Sequence, residues 1–367
     1  MPEPFSRRLF LAAGVAAAEA AQAQDSPQRA PVVQQPYPQS NLPAATNPIR
    51  IVTDRDIDPN EVALLKAAAP NVEVFVCSNQ DEYLDRVRDA EVIIGEPHED
   101  ILRRAPKLKW VQVSGAGMEW MDQALRNSPV VVTNCARTFA PGITETGMGL
   151  LLCLTRGIST YYMPQFYKHQ LRPIGTPRSP DHIELAGKTM AIVGMGGIGS
   201  TMARRAHYGF DMRIIATDAK PLPRPEYVAE LRTPAWFPEM IQQADVVVSA
   251  APLTALTERM FNEAAFRSMK PEAFYIALSR GKLFDDMALV RALREKWIRG
   301  AGLDVFPIEP PPPDHPIYDL PNVVMTPHTS GWSPDRETRL IALYAENIRR
   351  YSVGEPLVNV VDKQRGY

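Results

Sequence analysis

One glycine pattern constrains this chain more than any other feature. The segment TMAIVGMGGIGSTMARRA places Gly194, Gly196 and Gly199 in the spacing G-x-G-x-x-G, between a β-branched run and a helical stretch. In that context the first glycine permits a tight turn, the second lets backbone approach a pyrophosphate, and the third lets helix and strand pack closely. The N–H groups of Gly197 and Ile198 at the helix start are then available to phosphates. The segment therefore predicts a dinucleotide-binding unit.

An acidic residue stands where this pattern requires one. Asp218 ends the next predicted strand, about 20 residues after Gly199, the position that bonds the ribose hydroxyls. A carboxylate there repels a 2′-phosphate, so the prediction is NAD rather than NADP. Lys220 softens that preference, and an NADP-linked reductase of the same fold stays open as an alternative.

Short β-branched segments alternate with helical ones on both sides of the motif. The first set is IRIVTD, VEVFVC, EVIIG, WVQVS and VVVTN, and the second is KTMAIVG, MRIIATD, DVVVSA, AFYIAL, GAGLDV and NVVMTP. Such alternation predicts parallel strands joined by crossover helices. The expected fold class is α/β, with two Rossmann-like, doubly wound parallel-sheet domains: a flavodoxin-like substrate domain and an NAD-binding Rossmann domain.

The order of these segments suggests a discontinuous first domain. A last helix near residues 336–350 is expected to return to it, which gives residues 48–142 and 328–367 as the substrate domain and 143–327 as the nucleotide domain. Between them GITETGMGLLLCLTRGI predicts a largely apolar helix that begins after a hinge at Pro141–Gly142. A helix of this kind must be buried, either between domains or against a second subunit.

Composition excludes several classes of protein. In 367 residues, 40 basic and 42 acidic side chains nearly cancel without forming blocks, so neither nucleic-acid binding nor stable membrane association is expected. No apolar run approaches the ~20 residues of a transmembrane helix. Cys77, Cys135 and Cys153 lack the close spacing of a disulfide framework or a zinc site, and no metal is expected.

The first residues look like an export signal. Arg7 and Arg8 precede a short apolar run, and Ala21-Gln22-Ala23 fits a cleavage site, so residues 1–23 are predicted as a signal peptide and 24–47 as a flexible linker. SRRLFL resembles the twin-arginine signal, whose export machinery carries folded proteins. A periplasmic location is expected, or a cytoplasmic one if the signal is not used. An exported enzyme of this kind is expected to carry its NAD with it.

Three ionisable residues follow three late strands. Arg280 comes after AFYIALS, Glu309 after GAGLDVFPI and His328 after NVVMTP. Ligands of open α/β sheets bind beyond the carboxyl ends of the strands, so these side chains are expected to face one crevice. An arginine fork suits a carboxylate, a histidine suits proton transfer, and Glu309 would fix the tautomer of His328.

These residues and the stretches around them resemble the D-isomer-specific 2-hydroxyacid dehydrogenases. The resemblance runs from about Ile51 to Asp362 and is strongest in GKTMAIVGMGGIGS, ADVVVSAAPLTALTERMFN, SRGKLFDDMALVRAL, GAGLDVFPIEP and LPNVVMTPHTSG. It implies that Arg280 binds the substrate carboxylate, that Glu309 is the partner acid and that His328 is the general acid/base. It also implies a homodimer.

The resemblance extends to further contacts with cofactor and substrate. It implies that Asp304 bonds the nicotinamide carboxamide and that the backbone N–H groups of Ala116 and Gly117, in SGAGME, hold the substrate carboxylate. The segments GEPHED and SGAGMEW, with Trp120 and Trp332, are expected to shape the side-chain pocket. The remaining cofactor contacts implied are Pro252, Thr257, Leu278, Ser279, Arg280, His328 and Gly331.

The sequence departs from the family pattern in two places, and a third feature bears on the substrate. Ala277 stands where the family usually has asparagine, so an altered cofactor wall is expected. TETGMG replaces an acidic residue followed by histidine or asparagine, so the dimer seam is expected to differ. Glu309, where the formate-oxidising branch has glutamine, argues against formate as substrate.

The function expected from these observations is reversible, NAD-dependent reduction of a small 2-oxo acid to a D-2-hydroxy acid. Glyoxylate and hydroxypyruvate are candidate substrates from the resemblance alone. The alternative from another class is a non-catalytic NAD-binding sensor or partner-binding module. The intact set Arg280, Glu309 and His328 argues against that alternative, because a pure binder needs no general acid.

Overall fold

The computed structural model describes residues 39–45, 48–171 and 182–367. The signal peptide, its two arginines and most of the linker lie outside the described residues and stay predictions. Residues 39–45, assigned to the linker, are not a loose tether: Ser40 is buried, and its hydroxyl accepts a 2.7 Å hydrogen bond from the N–H of Leu357. Among the described residues, none of the helices combines the length and the apolar character needed to cross a membrane.

The first sheet has five parallel strands. They are β1 (Ile49–Thr53), β2 (Val72–Val76), β3 (Val92–Ile94), β4 (Trp110–Gln112) and β5 (Val131–Thr133), in the order β2-β1-β3-β4-β5. This is the flavodoxin-like order. All five strands were predicted, because each is a short β-branched run between turn residues.

The second sheet has seven parallel strands. They are β6 (Thr189–Val193), β7 (Arg213–Thr217), β8 (Glu230–Arg232), β9 (Val246–Ser249), β10 (Phe274–Ala277), β11 (Gly300–Leu303) and β12 (Val323–Met325), in the order β12-β11-β10-β9-β6-β7-β8. The strand order reverses beside β6, where dinucleotides bind in this fold. The predicted set of six strands missed β8, a short edge strand with two charged residues that pairs only with β7. The predicted fold class is confirmed.

Helices cover both sheets. They are α1 (Pro59–Ala67), α2 (Gln80–Arg86), α3 (Glu99–Arg104), α4 (Gln123–Asn127), α5 (Ala140–Thr155), α6 (Met163–Tyr167), α7 (Gly197–Phe210), α8 (Phe237–Gln242), α9 (Glu263–Ser268), α10 (Asp286–Arg294) and α11 (Asp335–Val353).

The apolar helix α5 is buried against the second sheet. Its Leu151 and Leu154 share a core with Met190 of β6. The packing is close because of small residues: a Cβ on Gly147 would lie 2.6 Å from a methyl carbon of Leu278. Pro141 and Gly142, predicted as a hinge before the helix, lie in its first turn instead, because the helix begins at Ala140.

The last helix returns to the first sheet, as the sequence predicted. Leu340, Tyr344 and Ile348 of α11 are buried in one core with Ile49 and Ile51 of β1. Its burial pattern follows from apolar residues three to four positions apart, which share one helix face. The chain therefore crosses between the two sheets twice, once before α5 and once before α11.

Candidate active site

The glycine segment forms a turn that only glycine fits at two positions. Gly194 has φ +95°, and a Cβ on it would lie 2.8 Å from the backbone of Ala251. A Cβ on Gly199 would lie 1.9 Å from the carbonyl oxygen of Gly194. Both distances are far below van der Waals contact, so the tight turn and the close approach of α7 to β6 depend on these two residues.

The open side of the turn fits an anionic group. A Cβ on Gly196 would meet nothing within 4 Å, which leaves room for a ligand against the backbone. Beside it a Cβ on Gly197 would lie 2.7 Å from Cα of Arg137. The Nε of Arg137 is buried and has no hydrogen-bond partner among the described residues. Free N–H groups at the start of a 14-residue helix, next to a guanidinium, fit the pyrophosphate of a dinucleotide.

Asp218 lies beyond the carboxyl end of β7, as predicted, and its carboxylate is held by the main chain. The N–H of Met195 donates to Oδ2 and the N–H of Lys220 donates to Oδ1, each at 2.7 Å. Each oxygen keeps lone-pair capacity for a ribose hydroxyl. Burial lowers the pKa of Lys220, with Asp218 opposing that change.

The structure brings His328 and Glu309 into direct contact. Nδ1 of His328 lies 2.6 Å from Oε2 of Glu309, and the other oxygen of Glu309 accepts the N–H of Phe306 at 2.9 Å. The pairing leaves Nε2 of His328 as the nitrogen available to a substrate. The side chains of His328 and Glu309 are 43% and 35% exposed, so both can reach a ligand in the cleft.

His328 is held in an unusual backbone conformation. Its φ is +55°, and its N–H donates to the carbonyl oxygen of Asp304 at 2.7 Å. The fully buried carboxylate of Asp304 accepts hydrogen bonds from Thr326, Thr329 and Ser330 on either side of the histidine. Asp304 therefore positions the histidine loop. This role was missed, although hydroxyl residues on both sides of a histidine signal it, and the contact with the carboxamide stays a prediction.

Arg280 is paired with a residue that sequence reasoning did not select. Its Nε donates to Oε1 of Glu119 at 2.8 Å and its Nη2 approaches Oε2 at 3.4 Å, while Nη1 donates to the carbonyl oxygen of Ser279. A Cβ on Gly117 would lie 1.8 Å from Nη2, so the guanidinium lies directly on the loop of Ala116 and Gly117. The only signal for Glu119 was its place at the end of SGAGME.

A second glycine brings Arg280 close to the loop of Glu309. A Cβ on Gly281 would lie 1.8 Å from the carbonyl carbon of Phe306, so the two loops touch through their main chains. Because β10, β11 and β12 are neighbours, their carboxyl ends carry Arg280, Glu309 and His328 along one edge of the sheet. The three residues thus follow neighbouring strands, whereas a single crevice that they share stays a prediction.

The other predicted cofactor contacts lie around the same edge. Thr257 donates its hydroxyl to the carbonyl oxygen of Pro252 at 2.7 Å, which folds the loop after β9. Leu278 is buried and donates its N–H to the carbonyl oxygen of Ser249 at 3.2 Å. The hydroxyl oxygen of Ser279 is buried without a hydrogen-bond partner among the described residues, which fits a polar ligand there. A Cβ on Gly331 would make ordinary contact with Phe139, so local packing does not require glycine at this position.

The predicted side-chain pocket combines acidic and aromatic groups. Burial raises the pKa of Glu96. The charge of Glu119 also raises this pKa, whereas His98 lowers it. The buried Nε1 of Trp120 has no hydrogen-bond partner among the described residues. Trp332 is 69% exposed and covers the guanidinium of Arg336 at 4.3 Å. Trp120 therefore offers a donor to a ligand, whereas Trp332 lies at the surface.

Ala277, where the family usually has asparagine, is fully buried in β10. It packs in one core with Ala301 and Tyr275. The altered cofactor wall expected at this position stays a prediction.

Comparisons with known proteins agree with this geometry. A family model for the NAD binding domain of D-isomer specific 2-hydroxyacid dehydrogenases matches residues 148–330. The chain is 33% identical to a glyoxylate reductase of Korarchaeum cryptofilum, over 77% of this chain and 85% of that protein.

Two solved structures share the fold over nearly their whole length. One is an NADPH-dependent glyoxylate/hydroxypyruvate reductase from Sinorhizobium meliloti in complex with NADP and sulfate: 28% identity, TM-score 0.73, covering 87% of this chain and 99% of that one. The other, a D-isomer specific 2-hydroxyacid dehydrogenase from Xanthobacter autotrophicus in complex with NADPH, has 26% identity, TM-score 0.73 and coverage of 87% and 99%. The chain belongs to the D-isomer-specific 2-hydroxyacid dehydrogenases, an oxidoreductase family, and carries their NAD-binding domain.

Proposed function

We propose that this protein reversibly reduces a small 2-oxo acid to a D-2-hydroxy acid, with NAD as cofactor. The observation that carries the proposal is the 2.6 Å contact between His328 and Glu309 at the sheet edge that also holds Arg280. A histidine whose tautomer is fixed by a carboxylate, beside a carboxylate-binding arginine and a nucleotide loop, suits proton transfer to a 2-oxo acid.

His328 acts as the general acid in the direction of reduction. When bound, the reduced cofactor supplies the hydride that carbon C2 of the substrate accepts. Protonated His328 gives its Nε2 proton to the forming alkoxide, and Glu309 keeps the ring oriented through Nδ1. In the direction of oxidation, neutral His328 takes the hydroxyl proton.

Arg280 and the loop beneath it bind the substrate carboxylate. The guanidinium rests on the backbone of Gly117, so its remaining N–H groups and those of Ala116 and Gly117 can converge on one anion. Glu119 holds the Nε–Nη2 edge of the guanidinium, with Nε at 2.8 Å from Oε1, and thereby fixes its orientation. We assign Glu119 as a positioning residue, because it acts through Arg280.

The reaction is tested directly with purified protein. NADH oxidation is followed with glyoxylate, hydroxypyruvate and pyruvate, and the configuration of the products of hydroxypyruvate and pyruvate is determined by chiral chromatography, since glycolate is achiral. Turnover is expected with at least one of these acids, and a chiral product should be the D-isomer. Tight NADH binding without turnover of any 2-oxo acid would instead support the sensor alternative.

We propose NAD over NADP because of Asp218, whose carboxylate would repel a 2′-phosphate. The related reductases from Sinorhizobium meliloti and Xanthobacter autotrophicus were crystallised with NADP or NADPH, and Lys220 lies beside Asp218 here. The dissociation constants of NADH and NADPH, measured by fluorescence titration, are expected to favour NADH by about tenfold, as for one lost charge-assisted contact. Asp218→Ala should narrow that gap, and a gap that stays unchanged would contradict the assignment.

We also propose export by the twin-arginine machinery with NAD bound inside the folded protein, and assembly as a homodimer. Exposed apolar side chains after α5, among them Phe166 at 56% and Tyr167 at 71%, support a second subunit. Nucleotide released from protein purified from the periplasm should amount to about one NAD per chain. Protein found only in the cytoplasm would contradict export, and protein that is monomeric by light scattering would contradict the homodimer.

A further inference from the structure

We propose that the segment 362–367 belongs to the nucleotide site, where Tyr367, together with Lys220, forms the outer wall of the pocket for the adenosine ribose. The inference rests on the nucleotide site of the proposed function and extends it, since the cofactor contacts assigned so far are Arg137 and residues between 194 and 331. It also implies a physical consequence, slow release of the dinucleotide.

The segment is anchored on the first sheet. After α11 the chain returns to β5, where Val361 donates its N–H to the carbonyl oxygen of Val132 at 2.8 Å. Lys363 then extends its ammonium group to three carbonyl oxygens at the end of α4 and before β5, those of Leu125, Ser128 and Val130. Three acceptors use the full donor capacity of an ammonium group, so this point is fixed.

A closed turn carries the chain from this anchor to Tyr367. Oδ1 of Asp362 accepts the N–H groups of Gln364 and Arg365, each at 3.0 Å. Gly366, with φ +77°, donates its N–H to the carbonyl oxygen of Asp362 at 2.8 Å. The N–H of Asp362 in turn donates to the carbonyl oxygen of Tyr367 at 3.2 Å. These hydrogen bonds fix the main chain at Tyr367, from which the ring extends.

Tyr367 reaches across to the residues that recognise the ribose. Its ring centroid lies 4.7 Å from Nζ of Lys220, a cation–π contact. Lys220 in turn donates its N–H to Asp218, the predicted ribose ligand. Burial raises the pKa of Tyr367, and the charge of Asp218 acts in the same direction against that of Arg365. A segment anchored on the first sheet thus covers Asp218 and Lys220, which follow a strand of the second sheet.

The charges around this corner suit a dinucleotide. Arg137, which packs on the start of α7, and Arg365 both lower the pKa of Lys220, after the larger effect of burial. Lys220, Arg137 and Arg365 thus supply three positive charges from three parts of the chain, opposed by Asp218 and Asp362. A pocket with this balance attracts an anion such as the pyrophosphate.

The wall has a kinetic consequence. Because the contact between Tyr367 and Lys220 joins a residue anchored on the first sheet to one on the second, it must break before the nucleotide corner opens widely. The bound dinucleotide is then released more slowly than its direct contacts with the protein alone would predict. Slow exchange is also what an enzyme exported with its nucleotide requires.

The test measures release of the nucleotide and needs no turnover. Full-length protein is loaded with NADH and mixed with excess NAD⁺, and the loss of bound-NADH fluorescence gives the dissociation rate. Tyr367→Ala is expected to release NADH about tenfold faster, since loss of the ring removes both a cation–π contact and packing. Tyr367→Phe keeps the ring and should release at the full-length rate.

Two further variants control for folding and for the turn itself. Gln364→Ala changes an exposed side chain of the same turn and should leave the rate unchanged. A chain that ends at Gln364 should release NADH at least as fast as Tyr367→Ala, with an unchanged circular dichroism spectrum. If Tyr367→Ala and this shorter chain both fold and release NADH at the full-length rate, the wall is wrong and the proposed function stands. If the full-length chain binds neither NADH nor NADPH, both fail.

Discussion

The nucleotide turn and the catalytic cluster of this protein are built in opposite ways. The turn is one contiguous segment, Gly194 to Gly199, in which main-chain atoms determine the geometry and a single added carbon would clash at 1.9 Å. The cluster joins Glu119, Arg280, Glu309 and His328 from four distant segments. Arg280, Glu309 and His328 follow neighbouring strands of the second sheet, whereas Glu119 follows β4 of the first sheet and pairs with Arg280 across the two. Local sequence specifies the first, and topology assembles the second.

The two regions also differ in how they are packed. The turn is in close contact with its surroundings, so changes there act on the fold. In the cluster the four side chains are 33–43% exposed. Substitutions there leave little empty volume in the fold, so their effect should fall on the reaction. Substitutions in the two regions should therefore separate stability from catalysis.

The largest effect is expected at His328. His328→Ala should lower kcat by roughly 10²-fold or more, the usual cost of losing a general acid/base. The melting temperature should stay unchanged, because this side chain is 43% exposed. Steady-state kinetics and a thermal melt measure both.

His315 provides a matched control for that variant. It also pairs with a carboxylate, Asp286 at 2.9 Å, but lies outside the cleft and is only 11% exposed. His315→Ala should lower stability and retain kcat. Near-full turnover by His328→Ala would contradict the mechanism.

The second prediction separates two glycines within the turn. Gly199→Ala should lower the free energy of unfolding by about 1–3 kcal/mol, as other overpacked sites do. Gly196→Ala should stay within about 0.5 kcal/mol, because its Cβ meets nothing within 4 Å. It should nevertheless weaken NADH binding, since the methyl group occupies the side that the pyrophosphate approaches.

Urea denaturation and NADH titration of both variants check this pair. If Gly196→Ala unfolded as easily as Gly199→Ala, the open side of the turn would not exist. If Gly196→Ala bound NADH normally, the pyrophosphate would lie elsewhere.

The smallest effect is expected at Glu119. Glu119→Ala should raise KM by about fivefold or less, because a half-exposed ion pair contributes at most about 1 kcal/mol. Arg280→Ala is the reference and should raise KM by about tenfold or more, through loss of charge-assisted hydrogen bonds to the substrate. A lower KM in Glu119→Ala would show that Glu119 competes with the substrate for Arg280.

Several elements were readable in advance because their signals are local. The strands of the first sheet are β-branched runs between turn residues, and α5 carries Pro141 in its first turn, where a proline is tolerated. Strand β8 carries no such signal: Glu230, Leu231 and Arg232 form a strand only because the edge of β7 offers hydrogen-bond partners. The packing of residues 39–45 on α11 was hidden for the same reason, since its partners lie some 300 positions away.

The site shows the same division. Arg280, Glu309 and His328 could be selected because each follows a predicted strand, but Glu119 and the positioning role of Asp304 could not. Both depend on contacts between segments whose separation in sequence gives no information about distance. The wall at Tyr367 belongs to this class too, since it requires an anchor on one sheet and a target on the other.

The sequence by itself determined the α/β class, the nucleotide turn and the residue types available for chemistry, because dihedral freedom, strand propensity and side-chain chemistry are properties of short segments. Only the tertiary structure decided which carboxylate holds Arg280, which holds the histidine loop and what closes the ribose corner. Those pairings follow from strand order and close main-chain contact, which arise when distant segments pack together.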